Sequence, residues 1–201
     1  RGFPPAPGAG GGTRSGRGQT GGPCGATGTK PNQGGHFSGE PDNRVAWMDG
    51  RMHKLAWIRD RLDGDEAGSN ATHGPTEAEY GILTFGSQQG TVEEAVDRLN
   101  EAGRSVKSLS VSELAPYPVE AVTAFLESVE EAVVVEMNAS GQFRGLTQKE
   151  LGRYGDRLSS LLKYNGNPFE PAEIVEGFET TVDGDTDVPG AATRIVPAAG
   201  D

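Results

Sequence analysis

From Tyr80 to Gly103 the chain reads YGILTFGSQQGTVEEAVDRLNEAG. The run Gly81–Phe85 is apolar and too short for a helix, and turn-forming residues 86–90 close it, so it predicts a strand followed by a turn. Thr91 stands three residues before Glu94, the spacing of a capping box, and apolar residues then recur at helical spacing. Gly103 suits the left-handed C-terminal cap of that helix. The stretch predicts one strand–turn–helix unit.

Two more such units follow along the chain. Residues 106–111 predict a second strand, and a turn at 115–118 leads into an amphipathic helix whose first turn accommodates Pro118. The third strand, Ala132–Val135, is β-branched without polar alternation, as in a parallel sheet covered by helices on both faces. A turn at 138–141 precedes a weaker helical segment.

Strands separated by helices of about a dozen residues favour right-handed crossovers. The predicted fold class is therefore α/β, a small three-layer parallel sheet. The turns that follow the strands then share one edge of the sheet, where open α/β sheets place ligands or partners. Turn formation and helix capping are the alternative explanation for the residues there. The candidate residues of this ligand or interface edge are Gly86, Ser87, Asn138, Gly141 and Gln142.

Glycine and charge are distributed unevenly over the 201 residues. Fourteen of the 31 glycines lie in residues 1–39, which lack apolar periodicity, so we expect an irregular segment there. The first forty residues have four basic side chains and one acidic one, a balance of +3, so the remainder carries −14 of the total net charge of −11. A body this acidic favours a halophilic archaeal source, because salt screens its self-repulsion. It argues against nucleic acid as a partner.

Other features of the composition indicate the cellular compartment of the protein. The single cysteine, Cys24, excludes an internal disulfide and an iron–sulfur cluster held by this chain alone. The sequence shows neither a run of about twenty apolar residues nor a secretion signal, so we expect a cytoplasmic protein without a membrane partner. Because the chain begins with Arg1, we expect a piece or a processed form.

Three features resemble known binding motifs, but their sequence context does not support a binding site. Gly16–Gly21 matches the dinucleotide fingerprint, but no predicted strand precedes it and no helix follows. The turn Gly86–Gly90 follows a strand but lacks the Lys and Ser/Thr of a nucleotide-binding loop. The histidines His36, His53 and His73 have no metal-ligand spacing. We assign no catalytic residue and no metal ligand.

Four collinear segments resemble the alpha subunit of 2-oxoacid:ferredoxin oxidoreductases. GILTFGSQQGTVEEA (Gly81–Ala95) is similar to the start of its last domain, which is like the C-terminal domain of transketolase. VVVEMNASGQ (Val133–Gln142) resembles its third strand, and LKYNGNPFEPAEI (Leu162–Ile174) its closing segment. PDNRVAWMDGRMHK (Pro41–Lys54) resembles the helix that leaves the preceding thiamine-pyrimidine domain.

This resemblance implies a role in oxidative decarboxylation of a 2-oxoacid, such as 2-oxoglutarate or pyruvate, to an acyl-CoA with reduction of ferredoxin. Thiamine diphosphate, Mg and an iron–sulfur cluster would belong to the complete complex, with none bound by this chain alone. The beta subunit would be the direct partner, and ferredoxin and CoA would act through the complex. This portion would be scaffold and subunit contact, inactive alone. The alternative is a free-standing α/β module that binds a small phosphorylated ligand.

The resemblance also suggests how the chain is divided. Residues 1–29 do not resemble the family, and their Gly, Arg, Pro and Ala bias is what an out-of-frame reading of a GC-rich gene would give. The expected segments are a Gly-rich irregular segment at 1–40, a helix at the exit of the thiamine-pyrimidine-type domain at 41–63, a linker at 64–79, the transketolase-C-like domain at 80–168 and an acidic tail at 169–201.

Overall fold

The computed structural model describes residues 39–62, 70–184 and 192–195. The described residues fall into two units that divide after Arg61. In the first, helix α1 (Pro41–Leu62) exposes Val45, Met48, Met52 and Leu55. The spacing of three, four and three residues places these four side chains along one face of the helix.

The second unit alternates strands and helices. Its elements are β1 (Ala71–His73), β2 (Tyr80–Phe85), α2 (Gln89–Glu101), β3 (Val106–Val111), α3 (Val119–Glu127), β4 (Glu131–Glu136), α4 (Gln142–Leu151), β5 (Leu158–Lys163), α5 (Pro171–Asp183) and β6 (Ala192–Ile195).

These strands form one sheet in the order β1-β3-β2-β4-β5-β6. Every neighbouring pair is parallel except β1 and β3, which run antiparallel. The predicted α/β fold class is therefore confirmed. The antiparallel edge strand lies within the segment 64–79 that we expected to be a linker, and nothing in the sequence predicted its pairing.

Helices cover both faces of the sheet. Side chains of α2 and α5, including Val96 and Phe178, pack on one face, and those of α3 and α4, including Phe125 and Phe143, pack on the other. Burial of this apolar surface on both sides is the main stabilising term for such a sheet. Among the parallel strands, β2 comes first in the chain, β3 is added on one side of it and β4 on the other, so the connections reverse direction between β2 and β4.

Some elements differ from the sequence-based expectations. Helix α2 begins at Gln89 and has no side-chain hydrogen bond at its N-cap, so the Thr91–Glu94 capping box was wrong. The real capping box is in α5, where Glu170 and Glu173 each accept a backbone hydrogen bond. Strand β5 was not predicted, and α5 and β6 lie in the expected acidic tail. The expected features at 1–38, including Cys24, lie outside the described residues.

Candidate ligand or interface edge

Strands β2, β3, β4 and β5 are parallel, so the turns after them lie at one edge of the sheet. Gly86 begins a 3-10 turn directly after β2 and has φ +67°, a conformation that glycine adopts without a steric penalty. It and Ser87 are exposed. Residues 137–141 follow β4, the neighbour of β2. The turns thus flank the point where the strand order reverses, the usual ligand position in open α/β sheets.

Two side chains connect β2 and its turn with β4. The Thr84 hydroxyl donates a hydrogen bond of 3.0 Å to the carbonyl oxygen of Val135, and both groups are buried. Gln88 Nε2 lies 2.6 Å from the sulfur of Met137, immediately after β4. The structure therefore brings the first and third predicted turns together, although they lie about fifty residues apart in the sequence.

The start of α4 is capped from within by two side chains. Asn138 Oδ1 accepts hydrogen bonds from the backbone amides of Ser140, Gly141 and Gln142, at 3.1, 2.8 and 3.2 Å. The buried Glu136 carboxylate at the end of β4 accepts from the amides of Phe143 and Arg144, at 2.7 and 3.2 Å.

This cap changes how the predicted site residues are interpreted. A helix N-terminus attracts anions when its first amides lack partners, but the amides of residues 140–144 already have side-chain acceptors. Asn138 Nδ2 also donates to Glu136 Oε2 at 2.6 Å, so the Asn138 side chain is occupied at both ends. Helix capping therefore explains the arrangement of Asn138, Gly141 and Gln142. A role for these residues in ligand binding stays a prediction.

The start of α2 follows a 3-10 turn and is built differently from the start of α4. Neither the 3-10 turn Gly86–Gln88 nor α2 has a side-chain hydrogen bond at its N-cap. Gln88 is buried, and its Oε1 has no hydrogen-bond partner. Of the five predicted residues, Gly86 and Ser87 lie in this turn, where the N-cap residue Phe85 makes no side-chain hydrogen bond.

Sequence reasoning missed a cleft of about 220 Å³ between α4 and β5. Its lining includes Arg144, Gln148 and Ser160. Burial lowers the pKa of Arg144, and the negative charge of Glu136 opposes that effect. The only available signal was glycine inside a predicted helix, at Gly145, and that signal does not specify a ligand.

Other titratable groups serve the fold. The Tyr117 hydroxyl lies 2.7 Å from Thr147 Oγ1 under α4, and burial raises the pKa of Tyr117 to about 12. Lys163 is buried at the end of β5 and forms an ion pair with Glu173 at 2.6 Å. Burial raises the pKa of Glu173, but hydrogen bonds from Lys163 and from the Glu170 amide outweigh it, so the net pKa lies below the ordinary value.

The described residues do not form a metal centre: no group of three His, Cys, Asp or Glu side chains is placed to hold an ion. His73 Nε2 lies 2.7 Å from Asp97 Oδ1, a pairing between β1 and α2. His53 lies on α1, and His36 and the fingerprint at 16–21 lie outside the described residues. Among the helices of the described parts, none is long and apolar enough to cross a membrane.

The second unit matches one established family of domains. Residues 78–174 match the family model of the pyruvate:ferredoxin oxidoreductase core domain II. The match begins before β2 and ends within α5, so it contains the four parallel strands β2–β5 and the reversal point between β2 and β4.

Two related alpha subunits agree with this match. The chain is 30% identical over 148 residues to the alpha subunit of 2-oxoacid:ferredoxin oxidoreductase 2 from Aeropyrum pernix, covering 74% of this chain and 22% of the relative. It is 29% identical over 152 residues to the alpha subunit of 2-oxoacid:ferredoxin oxidoreductase 1 from Sulfurisphaera tokodaii, covering 76% of this chain and 23% of the relative.

A solved structure shares the fold. The 2-oxoglutarate:ferredoxin oxidoreductase from Magnetococcus marinus, with 2-oxoglutarate, coenzyme A and succinyl-CoA bound, superposes with a TM-score of 0.62 at 28% identity. The superposition covers 77% of this chain and 26% of that one. The comparisons therefore show that this chain is similar to alpha subunits of 2-oxoacid:ferredoxin oxidoreductases, and these relatives are subunits of oxidoreductases. The present chain spans about a quarter of the length of these relatives.

Proposed function

We propose that this chain is part of the alpha subunit of a thiamine-diphosphate-dependent 2-oxoacid:ferredoxin oxidoreductase, and that it acts as scaffold and subunit contact. The observation that carries the proposal is the match of residues 78–174 to core domain II, together with alpha-subunit relatives that cover about three quarters of the chain. The reaction of the whole complex would convert a 2-oxoacid, such as 2-oxoglutarate or pyruvate, to an acyl-CoA and reduce ferredoxin.

The described residues fit a supporting role. Their clustered ionisable groups, such as Lys163 and Glu173 or Glu136 at the start of α4, are used in ion pairs and caps inside the domain. The exposed apolar face of α1 (Val45, Met48, Met52 and Leu55) is the kind of surface that another protein segment covers. We infer that α1 packs against the rest of the alpha subunit or against the beta subunit.

The cofactors of the complex would lie outside this chain. Thiamine diphosphate supplies an electron sink for the carbanion left by decarboxylation. An iron–sulfur cluster requires cysteine thiolates, and this chain has one cysteine. In this proposal the chain's own contribution is positional, because the packed sheet holds the strand-exit turns in fixed places.

We also propose that this chain belongs to a cytoplasmic protein of a halophilic archaeon. The support is the net charge of −11 over 201 residues, because a surface this acidic repels itself unless salt screens it. Thermal unfolding in molar KCl and in dilute buffer tests the halophilic source, and an equal or higher unfolding temperature in dilute buffer contradicts it.

The main proposal is tested by reconstitution. The chain is expressed alone, and also with the remainder of alpha and with beta, and 2-oxoacid-dependent reduction of methyl viologen is measured with CoA present. We expect activity only in the complete assembly, with 2-oxoglutarate and pyruvate compared as substrates. Dye reduction by the chain alone, or failure of the chain to co-purify with the other parts, contradicts the proposal.

A second candidate function rests on the start of α2. The N-cap residues Phe85 and Gln88 make no side-chain hydrogen bond there, and Gly86 and Ser87 are exposed, so a free-standing module could place a small phosphorylated ligand at this helix start. Calorimetry with nucleotides and with CoA at high salt separates the two functions. Saturable binding by the chain alone favours the module, and its absence removes this candidate.

A further inference from the structure

The cleft between α4 and β5 exists because two glycines leave room for it. Gly141 and Gly145 both line the cleft and lie four residues apart, so they share one face of the helix. Gly141 has φ +66°, which explains glycine there by backbone geometry. Gly145 lies inside α4, and a Cβ atom at this position would meet no atom within 4 Å. Glycine lowers the stability of a helix interior relative to alanine, and packing does not require it at this position.

The floor of the cleft contains a polar group in need of a partner. Ser160 on β5 is only 1% exposed, and its Oγ has no hydrogen-bond partner. A Cβ atom on Gly141 would lie 3.5 Å from this oxygen, so the hydroxyl sits directly behind the start of α4. Buried hydroxyl groups are nearly always hydrogen-bonded. Ser160 belongs to the lining of the cleft, so the cleft is the side from which we infer that the missing partner comes.

The charge of the lining selects the kind of group. Arg144 lines the cleft, Ser140 and Gln148 add further polar side chains, and the lining contains no carboxylate. That composition stands out in a chain with a net charge of −11. The nearby Glu136 is not part of the lining, and its two oxygens accept from Asn138 Nδ2 and from the amides of Phe143 and Arg144.

Geometry and size narrow the ligand further. A guanidinium presents its N–H groups in a fork that matches the paired oxygens of a carboxylate or a phosphate. The volume of about 220 Å³ is below that of pockets for drug-sized molecules, which hold roughly 300–1,000 Å³. A small anion or the anionic end of a larger molecule fits these limits.

We propose that the cleft between α4 and β5 binds a small oxyanion, a phosphate or carboxylate group, through the Arg144 guanidinium and the Ser160 hydroxyl. This site is separate from the uncapped start of α2. It also does not depend on the proposed enzymatic role, because binding to the isolated chain and activity of the assembled complex are measured in different experiments.

The test is an NMR titration of the ¹⁵N-labelled full chain with inorganic phosphate and, separately, with succinate, at ionic strength held constant with KCl. We expect saturable shifts of the amide signals of Ser160 and of the second turn of α4. Saturation by phosphate alone identifies a phosphate site, and saturation by succinate alone identifies a carboxylate site. The absence of saturable shifts with both anions would overturn the proposal.

Variants locate the site. Arg144→Gln and Ser160→Ala are expected to weaken binding, by about tenfold or more for Arg144→Gln, since hydrogen bonds to charged groups are the strong ones. Arg98→Gln is the matched control, because Arg98 is exposed on α2 and the change in charge is the same. Equal dissociation constants for Arg144→Gln and Arg98→Gln would place the anion elsewhere and overturn the proposal.

Gly145→Ala separates loss of the site from loss of folding. The added methyl group enters the open cleft, while alanine favours the helix. We therefore expect a higher unfolding temperature without ligand and weaker anion binding. Unchanged affinity in this variant would show that the anion does not occupy the cleft beside Gly145, against the proposal.

Discussion

Lys163 Nζ lies 2.7 Å and 2.6 Å from the two carboxylate oxygens of Glu173, and 2.8 Å from the carbonyl oxygen of Pro168. The ammonium group is buried at the end of β5, and Glu173 belongs to the capping box of α5. One ion pair therefore fixes the connection between the last strand of the family match and the helix that follows it.

Glu173→Gln is expected to destabilise the domain by about 1.5–3 kcal/mol, the range for hydrogen bonds to charged groups, because it leaves the buried Lys163 without its counter-ion. Urea unfolding at pH 7 measures the change. The exposed pair of Glu94 and Arg98 provides the control, since Glu94→Gln should change stability by less than about 1 kcal/mol. Equal effects of the two substitutions would contradict the assigned role.

The ion pair between Lys163 and Glu173 also predicts that the stability of the domain depends on pH. The pKa of Glu173 is lowered in the folded protein, so its contribution is complete above the unfolded pKa near 4.5 and is lost as pH falls through the folded pKa. The difference in unfolding free energy between the wild type and Glu173→Gln should therefore shrink in this acidic range. A difference that stays constant down to the lowest pH at which the domain folds would refute the linkage.

The raised pKa of Tyr117 predicts that the stability of the domain changes at alkaline pH. Because its pKa is raised to about 12, folding favours the protonated phenol, and its contribution is lost as pH rises above the unfolded value of 10. Tyr117→Phe removes the hydrogen bond to Thr147 and should cost about 0.5–1.5 kcal/mol at pH 7. The loss should become smaller above pH 10, as followed by chemical denaturation, with exposed Tyr164→Phe as the control. A loss that grows with pH would contradict this prediction.

Glu136 should control the start of α4. Glu136→Gln replaces a carboxylate that accepts from two backbone amides and from Asn138, so we expect a loss of about 1–3 kcal/mol. Hydrogen exchange should quicken at the amides of Phe143 and Arg144 more than at the amides of α2. Unchanged protection at Phe143 would show that the carboxylate does not stabilise this helix end.

The apolar face of α1 should be required for assembly. Met48→Glu and Met52→Glu place charges on that face and should reduce co-purification of the chain with the other parts of the complex. Ala46→Glu is the control, because Ala46 is also exposed but lies outside the stripe. The unfolding temperature of the α/β unit should be the same in all three variants. Equal recovery of the three complexes would exclude this face as a contact.

Local sequence was sufficient for several elements and insufficient for others. The apolar run before Gly86 and the β-branched run before Glu136 each predicted a strand, since burial on both faces demands continuous apolar residues. Strand β5 was missed because LSSLLK contains two serines. It pairs with β4, where Val134 lies opposite Ser160. The predicted capping box at Thr91 was wrong because a 3-10 turn precedes α2, and the helix begins at Gln89, two residues before Thr91.

The sequence by itself determined the alternation of strands and helices from β2 to α4, and with it the α/β class and the edge that carries the turns, because hydrophobic spacing and turn residues act over a few positions. Tertiary structure decided which turns meet. Gln88 contacts Met137, Glu136 caps α4, and Ser160 faces the cleft beside Gly145 only because strand order and helix packing bring distant residues together. Such contacts depend on the whole packed sheet, and no local spacing encodes them.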